Sequence, residues 1–201
     1  MISPNKKFIF THIGRTGGAS IEEVLSDVGF KKPHLIDLYS ERAKLVNFEA
    51  SQHWKSTEER FVVGEDIWNE YFKFTIVRNP WDRLVSQYFG HVIHEIPGMS
   101  IDEYFLRSFV YNKYHDFKRF VQPCTNWISD KGNILVDYVG RFETLQDDFN
   151  VICDKIGIEH RILSQMGNSK KEHYRNYYND YTAELVYNEF KSDIEEFGYE
   201  F

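Results

Sequence analysis

Two short segments carry the residues whose types and spacing point to chemistry. The first is Gly14-Arg15-Thr16-Gly17-Gly18-Ala19-Ser20. Glycines shape a turn, and a turn that enters a helix presents backbone N–H groups that no carbonyl has claimed. The helix dipole adds partial positive charge at that end. Such a place holds phosphate or sulfate. Arg15 and the hydroxyls of Thr16 and Ser20 supply further donors suited to an anion. The second segment is Val77-Arg-Asn-Pro-Trp-Asp-Arg-Leu-Val-Ser86. Arg78 at the carboxyl end of a strand sits where open α/β sheets hold their ligands. Ser86 lies two helical turns further on, so an arginine and a hydroxyl are paired for a second phosphate. The plainer alternative for this segment is a helix start with a local ion pair among Trp81, Asp82 and Arg83. A glycine-rich turn alone is likewise often only structural. No Walker A pattern is present, because Gly-x-x-x-x-Gly-Lys-Ser/Thr is absent.

The elements that must position these residues are legible as periodicities. Phe8, Ile9 and Phe10 form a short β-favouring run before the glycine turn. Ile21, Val24, Leu25 and Val28 recur as the stripe of an amphipathic helix, with Gly29 to Pro33 as its stop. Ser56 and Glu59 have the form of a capping box, which predicts a helix that ends at Gly64. A short helix over Asp66–Glu70 follows. Tyr71–Val77 is dense in aromatic and β-branched residues and reads as a strand. Asn79 at an N-cap and Pro80 at the first helical position open the next helix. Ser100 and Glu103 form a second box, followed by Ile101, Tyr104, Phe105 and Phe109 as a core stripe. Ile134–Val139 reads as a buried strand. Leu145–Ile156 reads as a helix with Phe149, Ile152, Cys153 and Ile156 inward and Gly157 as its stop. A last helix is expected over Thr182–Phe190. Strand and helix alternate, which predicts an α/β fold with a mainly parallel sheet covered by helices.

Composition sets the outer bounds. The chain has 201 residues, which suits one domain, 1–201, with one core. Its 24 Lys and Arg stand against 31 Asp and Glu, for a net charge of −7. That balance repels nucleic acid and polysulfated polymers, so anion binding has to be local. The aromatic share of 17% predicts a packed aromatic core or stacking surfaces for a base or sugar. Cys124 and Cys153 form no CxxC pair, and free buried thiols in a reducing compartment are the expectation, with one disulfide as the alternative. No Cys/His cluster or HExxH pattern suggests a metal. The first residues lack a signal-peptide core, and no apolar run approaches the ~20 residues of a membrane span. A soluble, cytoplasmic protein is expected.

Read together, the segments are similar to a known family. Phe10-Thr-His-Ile-Gly-Arg-Thr-Gly-Gly-Ala-Ser20 resembles the 5′-phosphosulfate loop of the carbohydrate sulfotransferases, the group that includes the heparan sulfate 2-O-sulfotransferases. Phe74-Thr-Ile-Val-Arg-Asn-Pro-Trp-Asp-Arg-Leu-Val-Ser86 resembles their 3′-phosphate motif almost letter for letter. Val139-Gly-Arg-Phe-Glu-Thr-Leu145 and Phe197-Gly-Tyr-Glu-Phe201 also look like family signatures. The resemblance implies a P-loop NTPase-like three-layer fold. It implies 3′-phosphoadenosine 5′-phosphosulfate (PAPS) as sulfuryl donor, a carbohydrate or other hydroxyl acceptor, and no metal. Arg15, Thr16, Gly17, Gly18, Ala19 and Ser20 would hold the 5′ end, and Arg78 and Ser86 the 3′-phosphate. A late loop of the family closes over the nucleotide, which gives Lys170 or Lys171 a phosphate to reach. The acceptor hydroxyl needs a base, and His53 stands where the family often carries one, with His12 as runner-up. His91, His94, His115 and His173 have weaker claims. Glu58, Glu59 and Arg141 line the acceptor site or serve as caps and ion pairs. Two letters depart from the family pattern. Gly14 replaces the usual proline, and Arg15 the usual lysine. Arginine keeps the charge but does not give up a proton. The competing functions are a nucleotide-dependent phosphotransferase and a PAPS-binding module without catalysis.

Overall fold

The computed structural model describes residues 1–29, 42, 53–110, 121–164 and 172–201. The first elements are β1 (Ile2–Ser3), β2 (Phe8–Thr11), α1 (Gly18–Val24), α2 (Ser56–Val63), α3 (Glu65–Glu70) and β3 (Phe72–Val77). After them come α4 (Pro80–Gln87), α5 (Ile101–Phe109), β4 (Ser129–Asp130), β5 (Asn133–Ile134) and β6 (Tyr138–Arg141). The chain then forms α6 (Leu145–Ile156), α7 (Asp180–Glu189) and α8 (Lys191–Phe197). Two compact units result: Met1–Val77 with Asn126–Met166, and Arg78–Thr125 with Gly167–Phe201.

The first unit is built on a sheet of order β1-β2-β3-β6. β1 runs antiparallel to β2, whereas β2, β3 and β6 are parallel. Period-2 alternation sorts the side chains to two faces. Phe8, Phe10, Phe74 and Ile76 pack with Ile21 of α1, with Leu25 just after it, and with Phe149, Ile152, Cys153 and Ile156 of α6. The rings of Phe10 and Phe74 stack at 4.9 Å. Ile9 points the other way, to Val63 of α2 and Trp68 of α3. Helices therefore cover both faces, and the expected α/β architecture with a mainly parallel sheet is the observed one. Parallel pairing of β2 and β3 brings their carboxyl ends to the same edge of the sheet.

In the second unit, α4 runs on through a π-helical turn at Tyr88–Val92 into a last turn at Ile93–Glu95. Trp81, Leu84, Val85, Tyr88 and Val92 pack with Tyr104 and Phe105 of α5 and with Val186 and Phe190. Buried Asp193 is satisfied by the backbone N–H groups of Cys124 (2.6 Å) and Thr125 (2.8 Å). Cys124 and Cys153 are both buried free thiols.

Several boundaries differ from the periodic reading. The stripe from Ile21 to Val28 is inward as expected, but the α-helix stops at Val24, and Val28 bonds back to Leu25 in a turn. Ser56 and Glu59 do not cap α2. The cap position is Lys55, whose N–H donates to Glu58 at 2.6 Å. Ile134–Val139 is not one strand. Ile134 belongs to a hairpin with Ser129, and the sheet strand begins at Tyr138. Asp137 separates the two because its carboxylate accepts the Lys73 backbone N–H at 2.7 Å and pairs with the Lys73 ammonium at 2.9 Å. The final segment forms two helices, α7 and α8, on either side of Phe190.

Candidate functional site

The loop between β2 and α1 is tied together by its own hydroxyls. Thr16 Oγ1 donates to the Ile13 carbonyl at 2.9 Å, and Ser20 Oγ donates to the Gly17 carbonyl at 2.8 Å. Their protons hold the shape of the turn. Gly17, at φ +85°, precedes the first residue of α1, and a Cβ there would lie 2.7 Å from Leu145 and 3.1 Å from Phe142. Arg15 is half-buried and also left-handed, at φ 67°. A non-glycine residue held in that region costs roughly 1–2 kcal/mol, and such residues cluster at working sites. Ala19 is exposed, and Gly14 and Gly18 are buried.

Beneath this loop is a group of rings. The His12 side chain is buried and stacks on Phe10, with centroids 5.6 Å apart and planes 12° apart. Its Nδ1 is 3.2 Å from Glu22 Oε1, and Glu22 is itself buried. A Cβ on Gly18 would lie 2.2 Å from the His12 ring, so only glycine lets α1 approach so closely. His53, half-buried, has its ring centroid 4.5 Å from that of His12. His53 Nδ1 is 3.0 Å from the His12 backbone oxygen. A carbonyl only accepts, so Nδ1 carries a proton, and whenever the ring is neutral Nε2 is its basic nitrogen. The first unit thus brings His53, His12 and the 14–20 loop together.

The other side of β2 holds a buried polar network. Thr11 Oγ1 donates to Glu59 and lies 2.9 Å from Ser56 Oγ, while Thr75 Oγ1 donates to the Thr11 carbonyl at 2.7 Å. Ser56 and Glu59 are fully buried and tether α2 to the end of β2. This tertiary demand displaces the cap to Lys55. Glu58 serves that cap, and Arg141 ends β6 as an exposed residue whose N–H donates to Asp148 at 3.0 Å. Neither the place of Glu22 nor the Thr11–Glu59 bond follows from the sequence pattern. The available signal for Glu22 was an acid beside the apolar stripe of α1, one turn after Gly18.

In the second unit, Asn79 caps α4, accepting from Trp81 N (3.1 Å) and Asp82 N (3.3 Å), with Pro80 as the first helical residue. Its own amide donates to the Glu200 carbonyl at 3.0 Å. Arg78 is 8% exposed, and Nε and Nη2 both donate to Asp82 Oδ2 at 2.8 and 2.7 Å. Ser86 is buried on α4. Arg83 is buried and donates to the Gln122 carbonyl at 2.9 Å, a structural role. Burial pushes the Cys124 thiol far up, against the opposing pull of the Arg83 charge, so it stays protonated.

The remaining histidines have lesser places. His91 is exposed and 4.0 Å from Glu95. His94 is exposed, and His173 accepts from the Arg175 N–H at 3.5 Å at the start of a 3₁₀ turn. Lys170, Lys171 and His115 lie outside the described residues.

The chain is similar in sequence to known proteins. Over 170 residues the chain is 25% identical to carbohydrate sulfotransferase 10 of Xenopus laevis, and over 174 residues 24% identical to the Homo sapiens protein of that name. Each alignment covers 65% of this chain, and the chain spans about half the length of these curated relatives, 48% and 47%. An uncharacterized protein of Archaeoglobus fulgidus is 25% identical over 114 residues, 56% of this chain and 90% of its own. The crystal structure of a sulfotransferase from Alicyclobacillus acidocaldarius aligns over 97% of this chain and 96% of its own, with 16% identity and a TM-score of 0.49. The profile of the sulfotransferase family matches residues 1–200, so both motif segments and everything between them fall inside it. On that match, this chain belongs to the sulfotransferase family.

Proposed function

We propose that this protein transfers a sulfuryl group from PAPS to a hydroxyl, on a carbohydrate acceptor, with residues 1–201 acting as one catalytic domain. The observation that carries the reading is His53 against His12, the residue that leads into the 14–20 loop, with its Nδ1–H committed to the His12 carbonyl so that Nε2 is the nitrogen for the base role. Family membership supports the reaction class, and the name of the matched relatives supports a sugar acceptor.

The donor supplies an activated sulfuryl group on a phosphate leaving group. Arg15 and the N–H groups of Gly17, Gly18 and Ala19 hold its 5′ end, with Thr16 and Ser20 keeping the loop in shape. Arg78 and Ser86 hold the 3′-phosphate, with Asn79 fixing the helix start that carries them. His53 Nε2 takes the proton of the acceptor hydroxyl as that oxygen bonds to sulfur. The sulfur–oxygen bond to the 5′-phosphate breaks, and Arg15 stabilises the charge that collects on the departing oxygen. Arg15 stays protonated throughout, because guanidinium does not act as an acid here.

Calorimetry with adenosine 3′,5′-bisphosphate, PAPS and ATP, followed by transfer assays on a glycan panel, tests this. Bisphosphate and PAPS are expected to bind, and His53→Ala to abolish turnover with bisphosphate affinity kept. Binding of ATP in preference to the bisphosphate would instead make the protein a phosphotransferase. The second reading, a binding module without catalysis, is favoured by Arg15 in the family's lysine position. Bisphosphate binding with no transfer to any acceptor would support it.

A further inference from the structure

His12 meets both parts of the proposed machinery at once. On one side its ring lies against Gly18 at the start of α1 and pairs with Glu22, one turn further along the same helix (3.2 Å). Its second face is backed by Phe10 of β2. The ring also meets the His53 ring at 4.5 Å and 65°, and its main-chain oxygen takes the His53 Nδ1 proton at 3.0 Å. Trp127 closes on His53 edge-on at 6.4 Å. A carboxylate and an imidazole, both almost fully buried, are costly to desolvate and persist where their geometry is used. Nothing in the transfer step derived above requires Glu22.

We propose that Glu22 and His12 form a positioning pair that holds the His53 ring in one orientation and one tautomer, Nδ1–H with Nε2 unprotonated, beside the strand end that leads into the 14–20 loop. Neither residue touches the reacting atoms. Glu22 anchors the His12 ring, the ring fixes the local backbone and the space beside His53, and the His12 carbonyl sets which nitrogen of His53 is the base. A carboxylate behind one imidazole thus orders a second imidazole, in the way that outer hydrogen-bond partners set ring tautomers elsewhere. This inference rests on the role given to His53 above.

The test is long-range ¹⁵N–¹H correlation NMR of the histidine rings in the full chain at neutral pH, with bisphosphate calorimetry alongside. Wild type is expected to show His53 as a single Nδ1–H tautomer. In Glu22→Gln and His12→Ala, His53 is expected to become a mixture of tautomers, and turnover to fall by at least about tenfold, while bisphosphate affinity stays within about twofold. Thermal melts identify any variant that fails to fold, and Glu22→Gln, the near-isosteric change, decides the matter if His12→Ala does. A wild-type His53 in the Nε2–H form would overturn the proposal outright. So would folded variants that keep the tautomer and the turnover. If wild type binds no bisphosphate, the donor assignment falls, and the tautomer measurement still stands or fails by itself.

Discussion

Arg15 combines the side chain proposed for the donor's 5′ end with an unfavourable backbone. Its φ of 67° is a conformation that glycine adopts without the Cβ penalty. Arg15→Gly and Arg15→Ala both remove the guanidinium, so their difference isolates the backbone term. The glycine variant is expected to be the more stable by about 1 kcal/mol, read from chemical denaturation, and both to lose PAPS turnover. Gly18 presents the opposite case. Its helical backbone tolerates any residue, but the His12 ring occupies the space of a Cβ. Gly18→Ala is expected to cost about 1–3 kcal/mol by overpacking and to move the His12 and His53 ring signals in NMR spectra. A variant as stable as wild type with unmoved signals would mean that the loop and the rings are not packed as described.

At the scale of elements, α6 and α4 are held in place by different forces. α6 is support: Phe149, Ile152, Cys153 and Ile156 face β2 and β3. Phe149→Ala is expected to cost about 3–5 kcal/mol, the usual price of emptying a ring-sized core site. α4 carries Ser86 and follows Arg78, the pair proposed for the 3′-phosphate, and its first turn is held by the Asn79 side chain. Asn79→Ala should remove about 1 kcal/mol of capping, which lowers the melting temperature by roughly 2–4 °C in a chain of this size. Arg78→Ala keeps the cap and removes the charge. Calorimetry should show bisphosphate binding weakened by roughly 1.5–3 kcal/mol, the range of a hydrogen bond to a charged group, and unchanged affinity would remove Arg78 from the donor site. Asp82 shares the Arg78 guanidinium, so Asp82→Asn should loosen its aim without unfolding α4.

At the scale of the molecule, the pH response follows from where charges pair. The hydrogen-bonded Arg161 guanidinium holds the Asp27 carboxyl below its ordinary range, and Arg60 does the same for Glu65. Carboxyls lowered in the folded state stabilise it above their unfolded pKa, near 4, and that contribution is lost as pH falls through the folded values. Both pairs are exposed, so Asp27→Asn should cost under about 1 kcal/mol at neutral pH, less in high salt, and nothing in strong acid. Burial, aided by its bond to Asp148, pushes the Tyr138 hydroxyl up to about 12. A raised phenol stabilises the fold below its unfolded pKa of about 10, and that stabilisation disappears between there and about 12. Tyr138→Phe should lack this alkaline component in denaturation curves recorded against pH. Much of this organisation is local, and so it is readable from residues in order. Leu145–Ile156 has its helical stripe and its glycine stop within the segment, and it forms over those residues with Gly157 left-handed. Asn79 and Pro80 likewise write their own helix start. The two motif segments are contiguous, which is why the family is readable without coordinates. Other features depend on partners distant in the chain. Ser56 and Glu59 have the letters of a cap, but Thr11, 45 and 48 residues away, takes both. Asp137 ends one strand and delays the next because Lys73 lies opposite it. Glu22 looks like a helix-surface acid until His12 is folded beneath it, and the hydrogen bond of His53 Nδ1 goes to a carbonyl 41 residues earlier. Periodicity and turn chemistry act over a few residues, and they specify the strands, most helices and the anion loop. Which polar groups are buried together is a property of the packed sheet and its covering helices, because burial leaves each of them only the partners that folding brings within reach.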